Sequence, residues 1–232
     1  MERIESIYYW IYVVIMFSGA LTFYILSLRF KNIPKEEYFY AIAITLWSGA
    51  AYASMALGQG LVFLGQRITY FARYIDWVVT TPLLLLSLAA VAMYYSKKDY
   101  ILISQIVFAD VLFIVTGLVG DLSSRPLNFF WYAIGMVSFV VLNWVLWTKL
   151  RDKAKEQGEK IRKVYDRLLI YLTLFWIGYP LVWILGPSGF GIIDQVTDTL
   201  LFVILPVFSK VGFGLFLLLS LKHVPAPSKT ES

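Results

Sequence analysis

Seven long apolar runs, separated by short polar stretches, divide the chain. The first, residues 7–28, carries no charge and is too long for the apolar core of a signal peptide. A charged loop follows (Arg29, Lys31, Lys35, Glu36, Glu37), and further runs cover 38–57, 68–95, 100–119 and 126–150. The second run ends in the glycine-rich GQG at 58–60, and Pro126 opens the fifth at a favoured first-turn position. Residues 151–167 are charged throughout and read as a solvated surface. Their later part forms the protruding end of a sixth helix whose apolar portion is 168–185. GPSGFG at 186–191 is turn chemistry, and a seventh run spans 198–222. About 20 apolar residues suffice to cross the bilayer's hydrocarbon as a helix. The pattern predicts an all-α bundle of seven transmembrane helices, with one membrane domain over 1–223, a short tail over 224–232 and no internal repeat.

Composition agrees. The 232 residues are 59% hydrophobic with a mean hydropathy of +0.72, too apolar for a soluble fold of this length. With no cysteine, the chain has no disulfide framework, thiolate nucleophile or cysteine metal site. The net charge of +5 has no basic, aromatic-studded soluble segment to carry it onto nucleic acid, so it bears on topology instead. Of the 20 Lys and Arg, 15 lie in the tail and in the loops after the first, third and fifth helices. Three (Arg3, Arg67, Arg125) lie on the other side, and Arg73 and Lys210 are within helices. By the positive-inside rule the N-terminus is outside and the C-terminus cytoplasmic, in a multi-pass protein of the cell membrane. No metal-ligand cluster, phosphate loop or nucleophile–base pair is present, and the single histidine, His223, closes the last helix. Neither a metal nor an enzyme is expected.

Lys210 is the candidate around which the rest is arranged. It stands 12 residues from Asp198 and 12 from Lys222, so about 18 Å from either end of its helix, beyond the reach of snorkelling. A buried ammonium there needs a partner, a pore or a covalent modification. In the third run Arg73, Asp76, Thr80 and Ser87 follow one another at spacings of 3, 4 and 7, along one helical face. That face must point into the bundle, and Asp76 can supply the negative partner, with Arg73 a third charge one turn toward the outside. Pro82, Pro180 and Pro206 lie inside helices and free the carbonyls of Val78, Trp176 and Phe202. Trp176, Tyr179 and Trp183 share one face, a pattern that ordinary core packing also produces.

RYIDWVVTTPLLLLSL (73–88), WIGYPLVWILG (176–186) and LPVFSKVGFGL (205–215) resemble the third, sixth and seventh helices of the microbial rhodopsins. TGLVG (116–120) and WYAIG (131–135) extend the likeness, which covers all seven helices. The resemblance implies all-trans-retinal joined to Lys210 as a protonated Schiff base, with Asp76 as counterion and Thr80 beside it. It implies a pocket of Trp77, Thr81, Leu84, Asp110, Phe113, Met136, Trp176, Tyr179, Trp183, Pro206 and Ser209, with Arg73 and Tyr52 lining the outer half.

Outward proton pumps of that family carry a second carboxylate four residues before the lysine, where this chain has Pro206, and a proton donor 11 residues after the counterion, where it has Ser87. These departures resemble the xenorhodopsin branch of inward proton pumps and photosensors. Some members carry an acid two turns beyond the lysine, where Leu217 stands, so no inner acceptor is assigned. The expectation is a light-driven inward proton pump, recovering its proton on the outer side among Asp76, Arg73, Asp194 and Asp198. The competing reading is a photosensor that signals to a separate soluble transducer. The lipid bilayer, protons and further copies of the chain, as a trimer or pentamer, are the expected partners.

Overall fold

The computed structural model describes residues 3–65 and 67–226. Seven helices are each long and apolar enough to cross a membrane: α1 (Arg3–Arg29), α2 (Lys35–Ala56), α3 (Phe71–Ala92), α4 (Tyr100–Leu122), α5 (Leu127–Glu156), α6 (Glu159–Leu185) and α7 (Gln195–Leu221). They form one bundle, whose two ends are here called the N-face, where α1 begins, and the C-face, where α7 ends. Large apolar side chains such as Val14, Leu21, Phe108, Val137 and Leu174 point outward, as they do where lipid replaces water. The protein is a multi-pass membrane protein. Its most enclosed helix is α3, which carries the polar track.

Several boundaries differ from the sequence expectation, each for a local reason. The second helix starts at Lys35, directly after Pro34, so Glu36 and Glu37 belong to its first turn and not to a loop. Acids there are favoured by the helix dipole. The third helix begins at Phe71 rather than 68, because Arg67–Thr69 (β2) pairs antiparallel with Val62–Leu64 (β1) in a small hairpin. Gly60 permits this turn with φ +68°, where a Cβ would lie 2.3 Å from that of Ala72. The fifth helix runs past 150 through a π-helical stretch, Leu146–Leu150, to Glu156. The charged 151–167 segment is thus divided between α5 and α6, and its charges are paired more than merely solvated. Arg151 grips Asp166 through two bonds of 2.7 and 3.0 Å, and Lys153 reaches Asp99 at 3.6 Å. The bundle also extends past residue 223, since Val224 is buried in the main cluster and Tyr95 donates to the Pro225 carbonyl at 3.1 Å. Residues 227–232 of the expected tail lie outside the described residues.

Candidate functional site

Lys210 lies in a π-helical stretch, Val207–Gly212, that follows directly on Pro206. Such stretches accommodate an extra residue per turn and often mark functional positions. The carbonyl that Pro206 frees, that of Phe202, is not left bare: the Tyr52 hydroxyl donates to it at 2.8 Å. Lys210 is 2% exposed, the one buried lysine among the described residues, and Asp76 is 0% exposed. The ammonium of Lys210 donates to Asp76 Oδ2 in a short ion pair and to Ser48 Oγ at 2.9 Å. Ser48 in turn donates to Asp76 at 3.0 Å and is met by the Tyr12 hydroxyl at 2.7 Å. Thr80 donates to the Asp76 carbonyl at 2.8 Å, fixing that side chain one turn above the acid.

Arg73 does not join this pair. Its guanidinium turns to the N-face, meets Asp198 at 3.2 Å and lies 4.1 Å over the Phe202 ring. Asp198 is therefore a buried member of the N-face network, whereas Asp194 is exposed and caps α7 by accepting from the Thr197 N–H at 2.8 Å. The network continues through Glu5, which accepts from Tyr70 at 3.0 Å and from Thr199 at 2.9 Å. Asp121 forms a second buried node, accepting from Tyr74 at 3.1 Å, while Trp183 donates to the Tyr74 hydroxyl at 2.9 Å. Ser48, Tyr12, Glu5 and Asp121 were missed by sequence reasoning. Asp121 and Glu5 sit near run ends, where charge is unremarkable, and a serine carries no signal of its own.

An apolar cavity opens between α3, α4, α5 and α6, lined by Trp77, the residue that follows Asp76. Trp77, Thr81, Asp110, Phe113, Trp176, Tyr179 and Trp183 are in its wall. Thr81 Oγ1 and Asp110 Oδ2 are 2.5 Å apart. Tyr132 and Gly135 add wall from α5, Tyr132 stacking on Trp183 with ring centres 5.0 Å apart. Glycine is required at 135, because a Cβ would lie 2.8 Å from Thr116 Oγ1. Leu84 and Met136 are not in this wall; both pack in or against the apolar cluster toward the C-face, with Met136 half-buried. Ser209 connects cavity and lysine, its hydroxyl 2.8 Å from that of the wall residue Tyr179. Ser87 is buried further toward the C-face, 11 residues past Asp76 and so about 16 Å along α3.

Residues 3–224 match the bacteriorhodopsin-like protein family. The chain belongs to that family. It is 39% identical to archaerhodopsin-1 of Halorubrum ezzemoulense over 225 residues, 94% of this chain and 85% of that one. Bacteriorhodopsin of Halobacterium salinarum is 37% identical over 214 residues, 89% of this chain and 79% of its own. Among solved structures, the cyanorhodopsin of the cyanobacterium Calothrix sp. superposes with a TM-score of 0.87 at 33% identity, covering 95% of this chain and 96% of that one. The bacteriorhodopsin-like family binds retinal covalently through a lysine Schiff base. The residues here fit such a group: an apolar cavity, flat aromatic walls, and a buried lysine next to Ser209, which is hydrogen-bonded to the wall.

Proposed function

We propose that this bacteriorhodopsin-like protein is a light-driven proton pump of the xenorhodopsin type that moves protons inward, with its N-face outside and its C-face cytoplasmic. The observation that carries the reading is the buried Lys210–Asp76–Ser48 cluster, polar toward one face and apolar toward the other. Among solved structures of similar fold is a light-driven proton pump from Coccomyxa subellipsoidea, with a TM-score of 0.86 and 30% identity over 94% of this chain. Retinal bound at Lys210, all-trans in the dark, supplies the light-driven isomerisation that redirects the nitrogen and its proton.

The protein's own residues do the rest. Asp76 holds the proton on the Lys210 nitrogen in the dark, and Ser48 at 3.0 Å and Thr80 at 3.5 Å donate to its carboxylate and fix its direction. Toward the N-face, Arg73 and Asp198 hold a charged pair that orders the outer half and can return a proton to Asp76. Toward the C-face, Leu84 and Leu88 on α3 and Phe213 and Leu217 on α7 exclude water from the pair at rest. Ser87 stands where a titratable group on α3 would serve outward reprotonation, and its hydroxyl does not titrate in the useful range. The aromatic walls of the cavity restrict the shape its occupant can take.

One observation favours outward transport by the same residues: Glu37, on α2, puts a buried carboxyl on the C-face side. Illuminating cells in unbuffered medium separates the readings. Inward transport makes the medium more alkaline, and a protonophore abolishes the change. Acidification would establish the outward direction, and no signal from photocycling protein would leave a photosensor.

A further inference from the structure

Glu37 is 1% exposed, and neither of its carboxyl oxygens has a hydrogen-bond partner with proper geometry among the described residues. Such a group is rare, because an unpartnered buried acceptor carries a heavy desolvation cost and an unpaired buried carboxylate a heavier one. A carboxyl so placed is neutral, and its burial calls for a role. Its position supplies one. On α2 the residues Ser48, Ile44, Ala41 and Glu37 recur at spacings of 4, 3 and 4, one face of the helix, so Glu37 lies about 16 Å from the Lys210–Asp76 cluster. Ser87 stands at the same depth on α3, 11 residues from Asp76, and is itself buried. Lys98 is anchored at the C-face by donating to the carbonyls of Ala90 and Met93 at 3.2 and 3.0 Å.

We propose that Glu37 is the proton relay of the C-face half, passing protons between the Lys210 nitrogen and water at the C-face by way of Ser87. This rests on the pump reading. A neutral carboxyl can take the arriving proton on its free oxygen while the O–H bond on its other oxygen breaks and that proton leaves past Lys98 and Glu36. The group is neutral before and after, and the same exchange runs in reverse for an outward pump. Leu84 on α3 and Phe213 and Leu217 on α7, all buried in the apolar cluster, stand 8, 3 and 7 residues past Asp76 and Lys210 toward the C-face, so the exchange waits until that layer admits water.

The test compares full-length, retinal-loaded wild type, Glu37→Gln and Glu37→Asp in lipid vesicles. One readout is the infrared C=O band of neutral carboxyl groups in the dark; the other is recovery of the dark absorption after a flash. Glu37→Gln should lose one neutral carboxyl band, keep the wild-type dark absorption, and slow recovery by roughly 100-fold, the scale of losing a positioned acid–base group. Azide, a small weak acid that can enter in place of the missing group, should restore the rate. Glu37→Asp should keep a shifted band and recover at an intermediate rate, which distinguishes a relay from a packing residue. Unchanged infrared bands or a wild-type recovery rate in Glu37→Gln would overturn the proposal. If that variant gives no pigment, an unshifted band in Glu37→Asp would overturn it. Failure of the retinal reading would instead appear as absence of pigment in the wild type, and failure of the inward reading as a reversed pH change.

Discussion

Replacing Lys210 with methionine keeps nearly the length of its stem but removes the cation that meets Asp76, a residue with no solvent exposure. Removing one partner of a buried pair costs about 3–5 kcal/mol, because the other charge is stranded. Ser48 still donates to Asp76 at 3.0 Å and Thr80 still steadies it, which places the expected loss toward the lower end, near 3 kcal/mol. Adding Asp76→Asn removes the stranded charge while keeping a side chain that can accept from Ser48. Neutral groups of similar shape often replace a buried pair without loss, so Lys210→Met with Asp76→Asn should return to within about 1 kcal/mol of wild type. The measurement is unfolding in sodium dodecyl sulfate, followed by far-UV circular dichroism, on protein prepared without retinal. A double variant as unstable as Lys210→Met, or a single variant as stable as wild type, would refute the pairing. Neither variant should give a red-shifted pigment with all-trans-retinal, and a wild-type band in either would remove Lys210 from its proposed role.

Asp76→Asn alone should bleach the pigment near neutral pH or shift its colour; an unchanged spectrum would mean another group balances the charge. Tyr52→Phe leaves the Phe202 carbonyl without its donor in a buried position, which should lower stability by about 1–3 kcal/mol in the same unfolding assay. Asp194 lies outside the membrane-spanning helices, and hydrogen bonding from Thr197, side chain first and then backbone N–H, holds its carboxyl below the usual carboxylate range. A carboxyl lowered in the folded state stabilises above its unfolded value and loses that contribution as pH falls through the folded one. Asp194→Ala should therefore be less stable than wild type at neutral pH, and the difference should vanish near pH 3 and below.

Lys210 and Asp76 were legible because lipid makes charge at mid-helix conspicuous, and the spacing from Arg73 to Ser87 states a face directly. The cavity wall was legible mainly through motif resemblance, since aromatic stripes alone do not distinguish a binding slot from a core. What the chain concealed were groups whose meaning depends on neighbours distant in sequence. Ser48 acquires its role only where α2 meets α3 and α7. Glu37 was read as part of a charged loop because Lys35 and Glu36 precede it, yet in a helix of 3.6 residues per turn successive residues are rotated by about 100° and can differ in burial. Glu36 and Lys35 stay toward solvent, and Glu37 points inward. Arg73 was read with Asp76 from proximity along α3, but its long stem carries the guanidinium to Asp198 on α7. The hairpin at 62–69 was hidden because its short strands look like the frayed start of an apolar helix.

The leucine and phenylalanine layer between the Lys210 cluster and Glu37 also has an electrical meaning. The polar N-face half, threaded with Arg73, Asp198 and Glu5, carries the potential of the N-face side toward the cluster, much as a wire shortens a circuit. The layer of Leu84, Phe213 and Leu217 is the insulator, and the voltage across the membrane concentrates there. A proton crossing that layer feels nearly the whole field, worth about 2.3 kcal/mol per 100 mV. Transfers on the N-face side feel little of it. Clamping the membrane voltage should therefore change the rate of the step through the layer while leaving the outer steps nearly constant.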